Sequence, residues 1–249
     1  MKAALIGYGQ MGRLIERRLM EKGHEVLAIV DPLYPSTGKD GASVKDADVA
    51  IEFTQPDTAP GNILSLVKEK IPVVSGTTGW YSRLPEVSGA VNAAGSSLLW
   101  SSNFSLGVNL FYRVAAYAAK LIDPFADYDV AGMETHHSKK ADSPSGTAKT
   151  LVETVLAQMT RKKRAVYTML DRKPEPDELH YASLRVGSVP GVHSLIFDSQ
   201  ADTIEITHTA RSREGFAAGA VLAAEWLVGK KQAGIFTMDD VLADILPKI

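Results

Sequence analysis

Residues 3–12 read AALIGYGQMG, and this stretch decides the fold. Its leading residues are apolar and predict a buried strand, while apolar residues recurring at helical spacing over 11–19 predict a helix. In the G-x-G-x-x-G between them, Gly7 permits a tight turn, Gly9 admits a pyrophosphate close to the backbone, and Gly12 lets helix and strand pack. Free N–H groups at the helix start bind phosphate. A dinucleotide site is predicted, against the alternative of an ordinary strand–turn–helix whose glycines serve packing.

A carboxylate follows where such a site meets the adenosine ribose. Asp31 ends the second predicted strand, 26–30, and can accept hydrogen bonds from the ribose hydroxyls. No Lys or Arg follows it before Lys39, so the 2′-phosphate of NADPH would lie beside a carboxylate without a counter-charge. We therefore expect NADH to be the preferred cofactor. Arg13 in the first helix keeps NADPH open as a second cofactor.

Short apolar runs continue to alternate with helical patterns. Further strands are predicted at 49–53, 71–75 and 98–100, and this alternation is typical of a parallel, doubly wound sheet. Ligands bind beyond the carboxyl ends of the strands in such sheets. Residues 76–79 (GTTG) follow the fourth strand and are placed to meet the nicotinamide. Residues 101–104 (SSNF) follow the fifth strand and can close the same pocket, unless these loops are plain turns.

The pattern changes after about residue 107. Helices are predicted at 108–122, 146–159 and 216–228, and strands at 128–134, 181–186, 192–197 and 203–209. Three of these strands follow one another without helices between them. We expect an α/β protein with an N-terminal Rossmann-type parallel sheet domain and a second α+β domain with a mixed or antiparallel sheet. The basic segment 161–164 (RKKR) is interpreted as a solvated helix end.

The most informative stretch is 134–148, ETHHSKKADSPSGTA. It lies between a predicted strand and a predicted helix, for which Ser145 is the candidate N-cap. Unpaired N–H groups and the positive dipole end of this helix favour a carboxylate, and Lys140 adds a full positive charge. A histidine can supply a proton near neutral pH. The segment predicts anion binding with general acid catalysis.

Two other interpretations of this stretch remain open at this point. The paired histidines His136 and His137 could bind a metal, although no Cys, Asp or Glu stands at a convincing spacing, so we expect no metal. The stretch could also be a solvated polar loop.

Composition limits the function further. The 249 residues contain 27 basic and 29 acidic side chains, a net charge of −2, which calls for neither nucleic acid nor a membrane surface. The absence of cysteine excludes disulfides and thiolate chemistry. No apolar stretch approaches the roughly 20 residues of a membrane span. We expect a cytoplasmic protein.

The motifs together resemble those of the 4-hydroxy-tetrahydrodipicolinate reductase (dihydrodipicolinate reductase) family of the diaminopimelate and lysine pathway. The family pattern E-x-H-H-x-x-K-x-D-x-P-S-G-T-A matches 134–148, and N-F-S-x-G-V-N matches 103–109. The glycine loop, the GTTG loop and the late motifs from Arg185 to Gly219 occur in the family's order. The chain departs from the family at Ser101-Ser102, where Ala-Pro is frequent, and at Ser143, where Ala is common. These departures bear on cofactor preference more than on chemistry.

The resemblance implies a reaction and its residues. Hydride from the reduced nicotinamide would reach C4 of an α,β-unsaturated cyclic imine, and C3 would then be protonated. His136 is the implied proton donor, and Lys140 stabilises the developing charge. The substrate's carboxylates would be held by His137, Lys140, Gly146 and Thr147. The expected cofactor site comprises Gly7, Gly9, Gln10, Met11, Gly12, Asp31, Phe53, Gly76, Thr77, Thr78, Ser101, Asn103 and Phe104.

The resemblance also implies an organisation. Residues 1–107 with 214–249 would form the dinucleotide-binding domain, and 108–213 the substrate-binding and oligomerisation domain of a homotetramer. Two other functions compete: an amino-acid dehydrogenase with the same cofactor half, and a dinucleotide-sensing protein without activity. The pocket from Lys140 to Thr147 suits a rigid dicarboxylate and argues against the first. A sensor needs no proton donor, so His136 argues against the second.

Overall fold

The computed structural model describes residues 1–34 and 43–247. They divide into two units, Met1–Leu106 with Arg213–Ile249, and Gly107–Ser212. Each unit has its own sheet and hydrophobic core. Lys39, on which the expected cofactor preference partly depends, lies outside the described residues.

The first unit, as far as it is described, is built on a six-stranded parallel sheet. Its strands are β1 (Lys2–Ile6), β2 (Glu25–Val30), β3 (Val49–Glu52), β4 (Val73–Ser75), β5 (Ser97–Trp100) and β11 (Gly234–Phe236), in the order β11-β5-β4-β3-β1-β2. Its helices are α1 (Gln10–Glu21), α2 (Ala59–Lys68), α3 (Leu84–Ala94), α6 (Glu214–Lys230) and α7 (Met238–Ile245).

Side chains alternate along the strands between two helix layers. In β1, Ala3 and Leu5 are buried in a core with α1, α6 and α7, whereas Ala4 and Ile6 are buried in a second core with α2 and α3. Strands covered on both faces have near-continuous apolar sequences. The predicted parallel, doubly wound sheet is confirmed. Strand β11 and helix α7 were not predicted, since both are short.

The second unit has a five-stranded mixed sheet. Its strands are β6 (Asp129–His136), β7 (Arg164–Val166), β8 (Glu178–Arg185), β9 (Val192–Asp198) and β10 (Thr203–Thr209), in the order β10-β9-β6-β8-β7. Strand β9 runs antiparallel to β6 and β10, while β8 runs parallel to β6 and β7. Helices α4 (Leu106–Ile122) and α5 (Gly146–Leu156) cover the sheet with a shared core. The expected α+β domain with a mixed sheet is confirmed.

Two local predictions differ from the structure. Strand β6 continues to His136, so this histidine is the buried last residue of a strand and not part of the loop. The basic segment is not a solvated helix end, because β7 begins within it and Lys162 is buried. The ammonium group of Lys162 lies 2.5 Å from Asp129 Oδ1 and donates to the carbonyl of Glu178 at 2.7 Å. These partners come from distant parts of the chain.

None of the helices in the described part of the chain is long and apolar enough to cross a lipid bilayer.

Candidate active site

The glycine loop lies between β1 and α1 and leaves room for phosphate. A Cβ on Gly7 would lie 2.1 Å from the carbonyl oxygen of Phe53, and one on Gly12 would lie 2.4 Å from that of Gly7. Both glycines are therefore required by close backbone packing. Among the described residues, a Cβ on Gly9 would meet nothing within 4 Å, and no side chain caps the N-terminus of α1 there. The start of α1 thus offers backbone N–H groups without a side-chain cap, and these residues fit a pyrophosphate.

Asp31 fixes the turn after β2. Its two carboxylate oxygens accept the backbone N–H groups of Tyr8, at 2.7 Å, and Leu33, at 2.9 Å. The guanidinium of Arg13 stacks on the rings of Tyr8 and Tyr34, at 5.6 and 5.4 Å from their centroids, and donates to the Tyr34 hydroxyl. A carboxylate and a cation therefore both lie at this turn. A ribose would use the carboxylate, and a 2′-phosphate would use the cation.

The loops after β3 and β4 meet at Phe53. A Cβ on Gly76 would lie 2.1 Å from the Phe53 ring, so only glycine fits beneath it. Thr77 is buried, its hydroxyl accepts the N–H of Thr54 at 2.8 Å, and Thr78 is exposed. All these residues follow the carboxyl ends of neighbouring parallel strands.

Glu52, the last residue of β3, was not predicted as part of this edge. It is fully buried and accepts the hydroxyls of Ser75, at 2.6 Å, and Thr77, at 3.0 Å, as well as the Thr54 N–H at 3.1 Å. A buried carboxylate at a strand end needs such donors. It therefore holds the ends of β3 and β4 together and supports the loop residues that were predicted.

The segment after β5 is held by its own side chains. The Ser101 hydroxyl donates to the Asn103 carbonyl at 2.9 Å, and the Asn103 carboxamide accepts the Ser105 N–H at 2.8 Å. Phe104 is 2% exposed and belongs to the core, with its ring 6.0 Å from that of Phe53. Its side chain supports the edge by packing under Phe53 and offers almost no surface to a ligand.

Gln10 and Met11 open helix α1 beside the glycine loop. The Gln10 side chain is exposed and accepts a hydrogen bond from the guanidinium of Arg213. Met11 is half-buried against the core of the first unit. The thirteen expected cofactor residues thus follow five adjacent strands at their carboxyl ends, in the arrangement expected of a dinucleotide site.

In the second unit, His136 stands at the end of β6. Its Nδ1 lies 3.3 Å from Oε2 of Glu134, and its ring meets that of His193 edge-on, with centroids 5.1 Å apart. A Cβ on Gly191 would lie 3.0 Å from Nε2, so the glycine leaves that nitrogen uncrowded. Burial lowers the pKa of His136 below its ordinary value, and the Glu134 carboxylate partly opposes this. A largely neutral imidazole that can be protonated is suited to moving one proton.

Lys140 and the start of α5 already hold a carboxylate. The Lys140 ammonium lies 2.8 Å from Oδ1 of Asp142, and this hydrogen bond, with the Gly146 backbone N–H, lowers the pKa of that carboxyl despite some opposition from burial. Ser145 caps α5, its hydroxyl accepting the Ala148 N–H at 3.1 Å. The predicted anion site is therefore occupied by the protein's own Asp142.

Of the other predicted substrate residues, Thr147 lies in the first turn of α5, directly after Gly146, and its carbonyl accepts the Tyr112 hydroxyl at 3.4 Å. His137 follows β6 and is half-buried, and its carbonyl accepts the Lys140 N–H at 3.1 Å. The segment His136–Thr147 thus brings the predicted substrate residues together within one strand-to-helix connection.

Sequence reasoning missed Glu134, Arg185 and His193 as neighbours of His136. Glu134 could have been found from its spacing, because residues two apart on a strand point to the same face. The strand was expected to end at Glu134, so this spacing was not applied to His136. Arg185 and His193 come from β8 and β9, and only the sheet register brings them to β6.

One cluster of metal-binding residue types occurs in the described part of the chain, formed by Glu134, His136 and His193. Its donor atoms lie within 4.8 Å of one another. Arg185 donates to the Glu134 carboxylate at 2.9 Å, and the Tyr181 hydroxyl lies 3.1 Å from Nδ1 of His193. A cation would have to displace these contacts and lie against a guanidinium, so the donor set suits an internal polar network better than an ion.

A glycine loop at the carboxyl edge of a parallel, doubly wound sheet is typical of nicotinamide-dependent oxidoreductases. Residues 1–104 match the family model of the dihydrodipicolinate reductase N-terminus, and residues 107–242 match that of its C-terminus. The chain belongs to the dihydrodipicolinate reductase family. The resemblance noted from the sequence is confirmed.

Curated relatives cover nearly the whole chain. A 4-hydroxy-tetrahydrodipicolinate reductase of Christiangramia forsetii is 42% identical over 245 residues, 98% of this chain and 99% of the relative. One of Staphylococcus aureus is 36% identical over 254 residues, 97% of this chain and 100% of the relative. The chain is accordingly an oxidoreductase that reduces 4-hydroxy-tetrahydrodipicolinate with a nicotinamide cofactor in the diaminopimelate and lysine pathway. The amino-acid dehydrogenase and the sensor are thereby set aside.

Solved structures agree on the fold. Dipicolinate-bound dihydrodipicolinate reductase from Paenisporosarcina sp. TG-14 has a TM-score of 0.77 at 20% identity, with 99% of each chain covered. A probable dehydrogenase from Thermotoga maritima has a TM-score of 0.60 at 8% identity, covering 97% of this chain and 92% of the other.

Proposed function

We propose that this chain reduces its substrate with NADH in preference to NADPH, with His136 as proton donor and Lys140 as the charge that binds and stabilises the substrate. Loss of water from the 4-hydroxy compound gives an α,β-unsaturated cyclic imine. The reduced nicotinamide, when bound by the first unit, supplies hydride to C4. His136 then delivers a proton to C3, and Lys140 stabilises the charge that develops between these events.

A single observation carries the assignment of the anion site. The Asp142 carboxylate is held at the same time by the Lys140 ammonium and the Gly146 N–H. A substrate carboxylate has the same chemistry and can take the place of Asp142, whose side chain is 56% exposed. Thr147 in the same helical turn and His137 before the loop complete the proposed site for the two carboxylates.

The preference for NADH is supported by Asp31. Because Tyr8 and Leu33 hold both of its oxygens through backbone N–H groups, the carboxylate is fixed at the end of β2. A ribose hydroxyl can donate to it, whereas a 2′-phosphate is repelled. Arg13, stacked on Tyr8 and Tyr34, is the cation that permits some use of NADPH. The remaining expected cofactor residues keep their proposed roles at this edge of the sheet, except that the buried side chain of Phe104 acts by supporting Phe53.

We also propose the expected domain roles, the first unit for the dinucleotide and the second for substrate and assembly. Leu184, Val186 and Ile204 are 50%, 55% and 44% exposed on or beside strands of the second sheet. Such side chains favour association of this sheet with copies of itself, in keeping with a homotetramer. Light scattering after gel filtration measures the assembly. A cytoplasmic location belongs to the same proposal, as expected for amino-acid biosynthesis.

The deciding experiment is steady-state turnover, with substrate generated by the preceding synthase and with NADH or NADPH. We expect wild-type turnover with NADH, and a kcat lower by about 10² to 10⁴ in His136→Gln, because general acid catalysis contributes that much. His180→Gln is the matched control, since His180 lies on β8 of the same sheet and its ring, among the described residues, donates to the Thr168 carbonyl at 3.2 Å. A wild type without turnover, or a His136→Gln variant with half of the wild-type kcat, would contradict the proposal.

A further inference from the structure

Glu134 connects three elements of the second unit through one buried carboxylate. Its Oε1 accepts the Ser145 N–H at 3.0 Å, the Ser183 hydroxyl at 2.8 Å and the Arg185 guanidinium at 2.9 Å. Its Oε2 accepts the Ser145 hydroxyl and lies 3.3 Å from Nδ1 of His136. The end of β6, the end of β8 and the N-terminus of α5 therefore meet at this side chain.

The sheet register produces this arrangement. Glu134 on β6 is paired with Ser183 on β8 and with His193 on β9, while His136 is paired with Arg185. The period of two along β6 directs Glu134 and His136 to the same face. A one-residue shift of β8 would move Ser183 and Arg185 to the other face and leave the buried carboxylate without the donors that this strand supplies.

The carboxylate is charged in the folded protein. Burial alone raises the pKa of Glu134, but hydrogen bonds from Ser145, Arg185 and Ser183 outweigh burial and lower the pKa to about 2. A buried anion is tolerated only with such a set of donors. Its negative charge is therefore a fixed feature of the site at neutral pH.

The Nδ1 atom of His136 is buried and has no hydrogen bond of standard geometry among the described residues. The 3.3 Å to Glu134 Oε2 is short enough for a hydrogen bond once the ring is protonated and turns slightly. A histidine that donates Nδ1–H to a carboxylate is held in one orientation, with Nε2 free to carry the transferred proton. Nε2 faces the side that Gly191 leaves uncrowded.

We propose that Glu134 is a positioning residue that aligns the acid His136 with the carboxylate-binding start of α5. It acts through other groups, because the hydrogen bond from Ser145 sets where α5 begins and the contact with Nδ1 sets how His136 points. This inference rests on the proposed function, in which His136 is the acid and α5 binds the substrate.

The charges around His136 give the direction of the expected effect. Glu134 lies on the same strand as His136, Arg185 on β8, and Lys140 and Asp142 in the loop that follows. His193 on β9 contacts the ring of His136. Glu134 and Asp142 raise the pKa of His136, whereas burial and the two cations lower it. Glu134→Gln removes the buried negative charge and leaves the Arg185 guanidinium without its carboxylate partner, and both consequences lower the pKa of His136.

The test compares Glu134→Gln with the matched control Glu178→Gln. Glu178 is also fully buried, lies on the same sheet and is paired with Arg172 at 2.7 Å and Arg164 at 3.0 Å, but is not among the groups that act on His136. An NMR titration of labelled histidine, without cofactor or substrate, measures the pKa of His136 directly. Turnover against pH measures its use as an acid.

In Glu134→Gln we expect the pKa of His136 to fall by about one unit or more. Since the acid must be protonated, the alkaline limb of kcat/KM should move to lower pH by the same amount, and kcat near neutral pH should fall about tenfold. KM for NADH should not change, and Glu178→Gln should match the wild type in both measurements. Glu134→Asp, which keeps the charge, should recover at least half of the shift in pKa.

The inference fails if folded Glu134→Gln keeps the wild-type pKa of His136 and the wild-type pH profile. Should Glu134→Gln not fold, Ser145→Ala decides. It should weaken binding of pyridine-2,6-dicarboxylate several-fold without moving the pKa of His136, and wild-type binding of the dicarboxylate by Ser145→Ala would also overturn the inference. If the NMR shift appears as expected but the wild type does not turn over the substrate, the proposed function is wrong and the coupling of Glu134 to His136 stands.

Discussion

Replacing Lys140 with methionine separates its proposed role in binding from any role in stability. Its ammonium group pairs with Asp142 at 2.8 Å, and the two side chains are 22% and 56% exposed. Exposed pairs of this kind contribute about 0–1 kcal/mol, so the melting temperature should fall by at most about 4 °C. A charge-assisted hydrogen bond to a substrate carboxylate contributes about 1.5–3 kcal/mol. The substrate must first break the Lys140–Asp142 pair, so the free energy of that pair is subtracted.

The net loss of roughly 0.5–3 kcal/mol corresponds to about a 2- to 150-fold rise in the Kd of a dicarboxylate. Pyridine-2,6-dicarboxylate, the dicarboxylate bound in the Paenisporosarcina protein, is a suitable probe. Isothermal titration gives its Kd, and steady-state kinetics give KM and kcat. Because the charge also acts on the developing enamine, kcat should fall as well as KM rise.

Lys139→Met is the matched control, since Lys139 is the exposed neighbour in the same loop. It should leave Kd, KM and kcat within about twofold of the wild type, well below the change expected from a lost charge-assisted hydrogen bond. The reasoning is refuted if Lys140→Met binds the dicarboxylate as tightly as Lys139→Met does. Lys140 would then be a surface lysine paired only with Asp142, and the carboxylate site would lie elsewhere.

Three further predictions follow from other residues. Asp142→Asn removes the internal competitor for Lys140, so Kd for pyridine-2,6-dicarboxylate should fall about two- to fivefold at low salt; a rise in Kd would mean that Asp142 positions the lysine. Wild type should show the higher kcat/KM with NADH, and Asp31→Ala should narrow the gap to NADPH, whereas a tenfold wild-type preference for NADPH would contradict the role of Asp31. Burial, partly opposed by Glu134, lowers the pKa of His193 to about 4. The unfolded chain protonates this ring near 6.5, so the free energy of unfolding should fall by up to about 3 kcal/mol as the pH decreases from 6.5 to 4. His193→Gln should flatten this slope in urea denaturation, and an unchanged slope would count against the assignment.

The sequence predicted well where the signal is local. The glycine loop and the apolar runs on either side of it specify strand, turn and helix within a few residues, and the carboxyl ends of successive parallel strands then meet at one edge. For the same reason Asp31, Gly76 and Ser101 could be assigned to that edge before the structure was known. Glu52 was missed because its role depends on Ser75 and Thr77, which approach it only when β3 and β4 pair.

Prediction failed where burial depends on non-local pairing. Lys162 appeared solvated because its neighbours in sequence are charged, yet the pairing of β7 with β8 buries it to 3% exposure against the Glu178 carbonyl. His136 appeared to lie in a loop because the alternation of β6 becomes polar at its end. The pairing of His136 with Arg185 keeps the strand extended there, and that pairing cannot be read from either strand alone.

The two acidic residues of the substrate half differ in whether a ligand can replace them. Asp142 is 56% exposed, so its pair with Lys140 contributes little, and a substrate carboxylate that takes its place lets Asp142 return to water. Glu134 is fully buried, and taking Arg185 away from it would leave an unpaired charge at a cost of about 3–5 kcal/mol. We therefore expect a carboxylate substrate to exchange with Asp142 and bind Lys140, while Arg185 stays with Glu134. Whether a cation is available to the substrate depends on how deeply its carboxylate partner is buried. For this reason exposed Asp142 can compete with the substrate for Lys140, whereas buried Glu134 keeps Arg185 and supports the site.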